Sequence, residues 1–407
     1  MKLILIVLAL CSTMISNSQT GTIWNSTNSA SNNTWNSVTY GNGLFVAVSS
    51  NGTGNRVMTS PDGITWTSRV SASDNEWNAV TYGNGLFVAV AGIGNGNRVM
   101  TSADGIVWTS QTSAADNVWK SVTYGNNLFV AISSAGPGNR IMISQDGITW
   151  TPPGPPLPGS DVNIAWDSIT YGNGLFVAVS SSGNRIKTSP DGLTWTNHTP
   201  PEDRSWTSVT YGNNLFVAVA HDLGSGNKIM TSPDGLTWTA ATAPSTNRWS
   251  SVTYGNGLFV AVSDAAASNG VMISTDGTNW TNAQASDSKV WSSVAYGNGR
   301  FIAVSSNGSD NKVMYSGGIL AQNGFDKETV LIYPNPASGR LFIKLPGAVT
   351  AGDTTAKMYD TTGRLVRELS INTEDLSIDL EGLRSALYIL EIVHGNVNLT
   401  ERIIVRN

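Results

Sequence analysis

The sequence predicts an all-β protein: a seven-bladed β-propeller closed by its own N-terminal strand, followed by a small C-terminal antiparallel β-sandwich. Three observations lead to this prediction. A segment of about 42 residues recurs along most of the chain, each copy contains four short runs of β-forming residues, and the composition changes after Ser316. Four-stranded repeats of about 40 residues are typical of propellers.

The repeat is marked by a tryptophan that opens each copy and by a tyrosine that follows in the same YG-containing segment. The first full copy begins WNSVTYGNGLFVAVSSNGTGNRVMTSPDGITWTSR at residue 35. Because runs of Val, Thr and aromatic residues alternate with Asn-Gly and Asp-Gly turns, each copy is expected to form four strands joined by hairpins. The opening tryptophan occurs seven times, as Trp35, Trp77, Trp119, Trp166, Trp206, Trp249 and Trp291.

The two ends of the repeat region complement each other. The seventh copy stops after VMYS (313–316) without a fourth strand, whereas the early segment TIWNSTNSASNN (22–33) matches ITWTSRVSASDN (64–75) of the first copy. We therefore predict that this early segment supplies the outer strand of the seventh blade, so that the propeller spans residues 19–316 and the ring has no frayed junction. All 14 tryptophans then fall two to a blade.

Six copies contain a Ser-x-Asp-Gly-x-x-Trp box, first as SPDGITWT at 60–67. The box resembles the Asp-box, or BNR, repeat of sialidases and other propellers, which implies a turn between the third and fourth strands of each blade. In such a turn Asp accepts backbone N–H bonds and Gly adopts a positive φ. Six near-equivalent carboxylates on separate blades do not form one active site, so we interpret them as structural. They are Asp62, Asp104, Asp146, Asp191, Asp234 and Asp276.

The two ends of the blades differ in how strongly the copies resemble one another. One end carries the YGNG turns and the boxes, which are nearly invariant (the box end). The other carries the connections after the second and fourth strands, such as 50–56 and 151–165, which vary in length and content (the variable end). Because recognition commonly lies on variable loops of a rigid scaffold, we predict a ligand there, a glycan or surface polymer. The alternative is drift in an unconstrained surface.

Aromatic and charged residues at the variable end are the candidate contacts. Indole rings near the propeller axis would stack on sugar faces, although the alternative for them is packing between neighbouring blades. The candidate ligand-binding residues are the seven opening tryptophans together with Asp74, Asp161, Asp203 and Arg204.

We predict a monomeric, non-enzymatic binding protein. With a net charge of −5 and only 13% charged residues, the chain has no basic patch for nucleic acid. No cofactor or metal motif is present, and His198 and His221 fall on different blades, although calcium bound by loop carboxylates stays open. A sialidase-like glycoside hydrolase is the enzymatic alternative, but the propeller holds only Glu76 and Glu202 as glutamates. A purely structural or adhesive surface protein is the third possibility.

Both termini predict export. Residues 1–18 read as a secretory signal peptide, with Lys2 before an apolar run too short for a stable membrane anchor, so no transmembrane segment is predicted. The only cysteine, Cys11, lies within it, so the mature chain is expected to have no disulfide.

The C-terminal segment carries the second export signal. Residues 317–329 read as a linker, and residues 330–407 contain a YPNP run at 333–336 and alternating apolar residues. This segment resembles the type A C-terminal sorting domain of the type IX secretion system, known from Bacteroidetes, although Ala386 stands where that family usually has Gly. The resemblance implies binding to the type IX machinery and release from, or attachment to, the cell surface. The matching residues include Pro334, Asn335, Pro336, Gly339, Gly363 and Arg364.

Overall fold

The computed structural model describes residues 23–137, 139–154, 164–182, 185–222, 226–316, 331–344, 354–371, 375–394 and 397–406. In these residues the regular secondary structure is entirely β-strand, and none of it could cross a membrane as a helix. The chain divides into two compact units, Met1–Gly318 and Ile319–Asn407. The predicted signal peptide and linker lie outside the described residues.

Seven antiparallel sheets are present in the described part of the N-terminal unit, six of four strands and one of three. The first strand in chain order is β1 (Trp24–Thr27). The first sheet contains β2 (Trp35–Gly41), β3 (Leu44–Ser49), β4 (Val57–Ser60) and β5 (Thr67–Arg69). The second contains β6 (Trp77–Gly83), β7 (Leu86–Ala91), β8 (Val99–Ser102) and β9 (Thr109–Gln111). The third contains β10 (Val118–Gly125), β11 (Leu128–Ala135) and β12 (Ile141–Ser144). The fourth contains β13 (Trp166–Gly172), β14 (Leu175–Ser180), β15 (Ile186–Ser189) and β16 (Thr196–His198). The fifth contains β17 (Trp206–Gly212), β18 (Leu215–Ala220), β19 (Ile229–Ser232) and β20 (Thr239–Ala241). The sixth contains β21 (Trp249–Gly255), β22 (Leu258–Ser263), β23 (Val271–Ser274) and β24 (Thr281–Ala283). The seventh contains β25 (Trp291–Gly297), β26 (Arg300–Ser305) and β27 (Val313–Ser316), joined by β1.

The hairpin between the first two strands of each sheet follows directly from its sequence. Asn42 and Gly43 both have positive φ, 48° and 74°, as a type I′ turn requires. The strand that follows, β3, is buried on both faces. Phe45 packs with Ile302 of the seventh sheet, whereas Val46, pointing the opposite way, packs with Trp77 of the second. Each sheet is therefore covered on both sides by its neighbours.

The N-terminal strand lies where the matching sequences predict. β1 pairs antiparallel with β27, with Trp24 opposite Ser316 and Thr27 opposite Val313. Trp24 is buried at 6% exposure. The outer edge of the seventh sheet is thus covered by residues that precede the first sheet in the chain.

The third sheet corrects the prediction of four strands in every copy. Beyond its box the chain reads Thr151-Pro152-Pro153, and only a single bridge, Ile143 to Thr151, forms along β12. Proline has no N–H to donate to the ladder, so these residues cannot continue a fourth strand.

Neighbouring sheets are in close contact where the first strand of each sheet ends. A Cβ atom on Gly41 would lie 2.1 Å from Cγ of Tyr82 in the second sheet, so only glycine fits. The same contact occurs at each successive junction, and the last one joins the seventh sheet to the first. The other pairs are Gly83 with Tyr124, Gly125 with Tyr171, Gly172 with Tyr211, Gly212 with Tyr254, Gly255 with Tyr296 and Gly297 with Tyr40.

In the described part of the C-terminal unit, two antiparallel sheets share one apolar core. The first holds β28 (Leu331–Tyr333), β29 (Arg340–Lys344) and β32 (Asp375–Asp379). The second holds, in spatial order, β31 (Leu365–Ile371), β30 (Thr354–Asp360), β33 (Ala386–His394) and β34 (Val397–Val405). Leu341 and Ile343 of the first sheet pack in one cluster with Met358, Leu390 and Ile403 of the second. This is the sandwich that the alternating apolar residues predict.

Candidate functional site

The seven opening tryptophans are not available to a ligand. Trp166 is 1% exposed and the other six are 0% exposed. Trp77 packs against Val46 and Val48 of the preceding sheet, and its indole N–H donates to the Ser73 carbonyl over 3.1 Å. The prediction that these residues bind a ligand is therefore wrong, because each indole is buried in a core formed by its own sheet and the preceding one. Packing between blades, the alternative, is what the structure contains. The residues concerned are Trp35, Trp77, Trp119, Trp166, Trp206, Trp249 and Trp291.

Each box aspartate is engaged within its own turn. Asp62 Oδ1 accepts hydrogen bonds from the backbone N–H groups of Ile64 and Thr65, at 2.8 and 2.9 Å, and from the Ser60 hydroxyl. Burial raises the pKa of the Asp62 carboxyl, but these bonds lower it by more, so the net pKa lies below its ordinary value. The Trp66 indole N–H closes the turn by donating to the Gly63 carbonyl.

The same pattern recurs in all six boxes, and in each the carboxyl pKa lies below its ordinary value. In the last box it falls to about 2. The aspartates are Asp62, Asp104, Asp146, Asp191, Asp234 and Asp276. Each lies in a separate sheet and holds a turn, which is a structural arrangement.

A repeated basic residue at the variable end also has internal partners. Arg56 donates to the backbone carbonyls of Gly52, Ser50 and Asn75. The fully buried Lys228 ammonium group likewise donates to three backbone carbonyls, at 2.6–2.8 Å. Each of these cations links the two connections at the variable end of its sheet through bonds within the protein.

The candidate binding residue Asp74 takes part in the same set of bonds between the two connections. Its Oδ1 accepts the Gly54 N–H at 2.8 Å and lies 3.6 Å from Arg56 Nε. Asp116 makes the same contacts one sheet further on. Because the arrangement repeats, Asp74 has the character of a loop support rather than of a unique binding group.

The remaining predicted binding residues, Arg204, Asp203 and Asp161, differ in their surroundings. Arg204 Nε lies 3.3 Å from Glu202 Oε2, and Asn227 donates to the other oxygen of that carboxylate. Asp203 is exposed, and Asp161 lies outside the described residues. Glu202, on which the hydrolase alternative depends, is thus held by Arg204 and Asn227 in a local network.

The repeat breaks at a position that directly follows each opening tryptophan. At five junctions the side chain there donates to the tryptophan carbonyl of the next sheet and so links the two sheets. In the third and fourth sheets this position holds Lys120 and Asp167 instead. The linking bonds are Asn36 to Trp77, Asn78 to Trp119, Thr207 to Trp249, Ser250 to Trp291 and Ser292 to Trp35.

A second break lies beside the first. In each sheet one residue of the second strand pairs with the opening tryptophan, and the residue that follows it in the chain is small in five sheets. In the fifth sheet this residue is His221, and in the sixth it is Asp264. His221 Nε2 bonds to Asp264 Oδ2 across the two sheets, and Arg248 Nε donates to Asp264 Oδ1 over 3.0 Å. The small residues are Ser50, Gly92, Ser134, Ser181 and Ser306.

These four substitutions, together with Arg248, form one group of charges at the variable end, which we call the charged arc: Lys120, Asp167, His221, Arg248 and Asp264. Burial raises the pKa of the Asp167 carboxyl, while a bond from the Ser181 N–H (2.7 Å) and the charges of Lys120 and His221 oppose that rise. Through these interactions the arc runs across four consecutive sheets, the third to the sixth.

Within the arc, Asp264 is the best-satisfied carboxylate. Burial raises its pKa, but the bond to His221 and the charges of His221 and Arg248 outweigh burial, so the pKa is lowered. Asp264 is therefore ionised at neutral pH and acts only as an acceptor, which makes His221 Nε2 the donor. Sequence reasoning missed the arc, although its signal was present as four departures from otherwise uniform repeat positions.

A cavity of about 730 Å³ lies at the box end, beside the incomplete third sheet. Its walls are mostly repeated turn residues, and the carboxylates of Asp146 and Asp191 among them are already bonded within their turns. No group of three or more His, Cys, Asp or Glu side chains in the described ranges is arranged to hold a metal ion.

The predicted sorting residues organise the C-terminal sandwich. The Asn335 side chain donates to the Arg402 carbonyl (2.7 Å) and accepts the Ile404 N–H (3.0 Å), so it joins the YPNP segment to β34. Pro334 and Pro336 flank it in cis peptide bonds.

The remaining sorting residues form turns. Gly363 has a φ of 84°, and Asp360 beside it accepts bonds from the Arg364 N–H and side chain. Gly339 has a φ of 70°, and its carbonyl accepts the Leu380 N–H.

Comparison with known proteins identifies this C-terminal segment. Residues 331–406 match the family model of the Secretion system C-terminal sorting domain. The predicted type IX sorting tail is thereby confirmed, and the protein is exported to the cell surface or secreted. No curated protein sequence matches the chain.

Comparison with solved structures concerns the fold. The structure is similar to virginiamycin B lyase from Staphylococcus aureus at 13% identity and a TM-score of 0.61, covering 72% of this chain and 98% of the lyase. It is similar to YCF48 from Cyanidioschyzon merolae at 15% identity and a TM-score of 0.52, covering 72% and 97%. It also matches the extracellular domain of BT4673 from B. thetaiotaomicron at 11% identity and a TM-score of 0.55, covering 92% and 57%. The fold is therefore all-β and propeller-like.

Proposed function

We propose that this protein is a non-enzymatic, seven-bladed β-propeller that is exported by the type IX system and binds a glycan or surface polymer at its variable end. The observation that carries the proposal is the charged arc. In the arc, side chains that elsewhere bond to the tryptophan carbonyl of the next sheet, or are small, are replaced by ionisable side chains of both signs. Groups that support every blade are expected to repeat, whereas groups that recognise one ligand are not.

The closed ring of seven blades is part of the proposal. Two features support it: β1 pairs with β27, and the Gly297–Tyr40 contact joins the last sheet to the first in the same way as Gly41–Tyr82 joins the first to the second. With such closure the variable ends of all seven sheets surround one axis, so residues from several sheets reach one ligand.

A binding role is favoured over hydrolysis by the state of the carboxylates. The box aspartates lie one to a sheet, and Glu202 is engaged by Arg204 and Asn227. A glycoside hydrolase needs two carboxyl groups on either side of one bond, in general about 5–10 Å apart. The two carboxylates of the arc are Asp167 and Asp264, and Asp264 is held by Arg248 and His221.

A glycan array probed with the purified full chain tests the proposal. We expect binding to a restricted set of glycans, with no release of product when those glycans are incubated with the protein. An Asp264→Asn variant should bind more weakly, because the bonds that orient His221 and Arg248 are lost, whereas Asp234→Asn at the box end should bind normally once folded. Product release that disappears in Glu202→Gln or Asp167→Asn would overturn the non-enzymatic assignment. Failure to bind any glycan or polymer would overturn the binding role.

A further inference from the structure

We propose that the charged arc binds a polyanionic glycan, one whose carboxylate or phosphate groups recur along the chain. This inference rests on the proposed binding function and names the class of ligand for that site. It follows from which charges of the arc are already used by the protein and which face solvent.

The negative groups of the arc already have partners within the protein. Asp264 accepts from Arg248 on one oxygen and from His221 on the other, and it is 20% exposed. Asp167 accepts the Ser181 N–H and is only partly exposed. A neighbouring carboxylate, Asp222, accepts the Ser205 N–H at 3.0 Å and lies beside the buried cation Lys228.

The positive groups are the ones presented outward. Lys120 is exposed, and no ion pair or hydrogen bond is made by its ammonium group within the described ranges. The Arg248 side chain is 38% exposed and, among the described residues, donates only its Nε, which leaves both terminal amino groups for a ligand. A guanidinium group held in this way is preorganised for two parallel bonds to a carboxylate or phosphate.

The two cations belong to different sheets. Lys120 lies in β10 of the third sheet and Arg248 directly precedes β21 of the sixth, with Asp167 and His221 between them in sheet order, on the fourth and fifth. A charged polymer that lies across these sheets would place successive anionic groups on the two cations. Sugar hydroxyls between two charged groups of the polymer would meet Asp167 and the free Nδ1 of His221, which both form hydrogen bonds.

Binding of the full chain to polygalacturonate, compared with its methyl ester, tests the inference directly. The two polymers share one backbone, but only the first carries carboxylates, and phosphomannan provides a phosphate-bearing arm. We expect tight, salt-sensitive binding to one or both acidic polymers, weak binding to the ester, and weak binding to the galacturonate monomer.

Variants then locate the site. Lys120→Gln should weaken binding about threefold, as removal of an exposed charge usually does. Arg248→Gln should weaken it about tenfold or more, because a charge-assisted bond is lost. Lys289→Gln, at the variable end of the seventh sheet, is the matched control and should bind as the unmodified protein does. Lys120 is exposed, so its variant keeps the test valid even if Arg248→Gln folds poorly.

The outcomes separate this inference from the proposed function. Equal binding to polygalacturonate and its ester would overturn the anionic ligand while leaving a glycan-binding protein. Acidic binding that is unchanged in both arc variants, or equally reduced in Lys289→Gln, would overturn the site. Absence of binding to every polymer would overturn both.

Discussion

The two ends of the repeated sheets use the same residue types for different purposes. At the box end, Asp62 and its five equivalents each accept bonds from their own turn, and the pattern is the same in every box. At the variable end, Asp264 instead bonds to His221 of another sheet and to Arg248. The comparison teaches that repetition distinguishes a supporting carboxylate from a candidate binding carboxylate. Residue type and exposure alone do not.

Removing a buried indole should have the largest effect on the scaffold. In Trp77→Ala we expect a loss of about 3–5 kcal/mol in the free energy of unfolding, because a fully buried aromatic ring between two sheets is replaced by a void. Urea denaturation followed by fluorescence or circular dichroism measures this. If Trp77→Ala kept full stability and lost only ligand binding, the indoles would belong to the site after all.

Closure of the ring can be tested with a matched pair of glycines. Gly297→Ala and Gly41→Ala should each destabilise the protein by about 1–3 kcal/mol, because the added methyl group meets a tyrosine ring of the next sheet. Similar losses in the two variants are expected if the junction between the seventh and first sheets equals the others. A harmless Gly297→Ala beside a harmful Gly41→Ala would indicate an open ring.

A box carboxylate, although itself exposed, should matter more for stability than the exposed Asp203 at the variable end. Asp191→Ala removes the charged acceptor of the Leu193 and Thr194 N–H groups and of the Ser189 hydroxyl, so we expect a loss of about 1–2 kcal/mol even though water can reach the two N–H groups. Asp203→Ala removes an exposed side chain and should change stability by less than about 0.5 kcal/mol. Equal decreases in the denaturant midpoint of the two variants would show that carboxylates at the two ends do not differ in their contribution to stability.

Lowering the pH should reveal how much the box carboxylates contribute to the free energy of unfolding. We expect this effect to be smaller than those of the substitutions above. The pKa of Asp276 falls from an ordinary 3.8 to about 2 in the folded protein, so its stabilising effect is present above the ordinary value and is lost as the pH falls toward 2. Asp276→Asn should therefore be less stable than the unmodified protein at pH 6, and the gap should narrow below about pH 4. A gap that stays constant down to pH 2 would contradict this.

Local features of the fold were predictable because the residues that determine them are neighbours in sequence. The Asn42-Gly43 turn, the box around Asp62 and the match that places β1 on the last sheet are of this kind. The missing strand of the third sheet was also readable, in Pro152-Pro153, although the repeat length hid it.

Contacts between sheets were harder to predict. Whether the indole of Trp77 faces an axis or a neighbouring sheet depends on how closely Val46 and Val48 approach it. The arc required knowing that His221 and Asp264, 43 positions apart, occupy equivalent places on adjacent sheets. Periodicity gives that equivalence only once the register of each strand is known.

Hydrogen exchange with and without a bound polymer tests the central claim, that ligand recognition lies at the variable end and the box end is structural. Polygalacturonate serves as the probe, or whichever polymer the array selects. We predict added protection in the segments around Lys120, Asp167, His221 and Asp264, with none at the box-end turns. Protection confined to the turns around Asp146 and Asp191, beside the box-end cavity, would contradict the account.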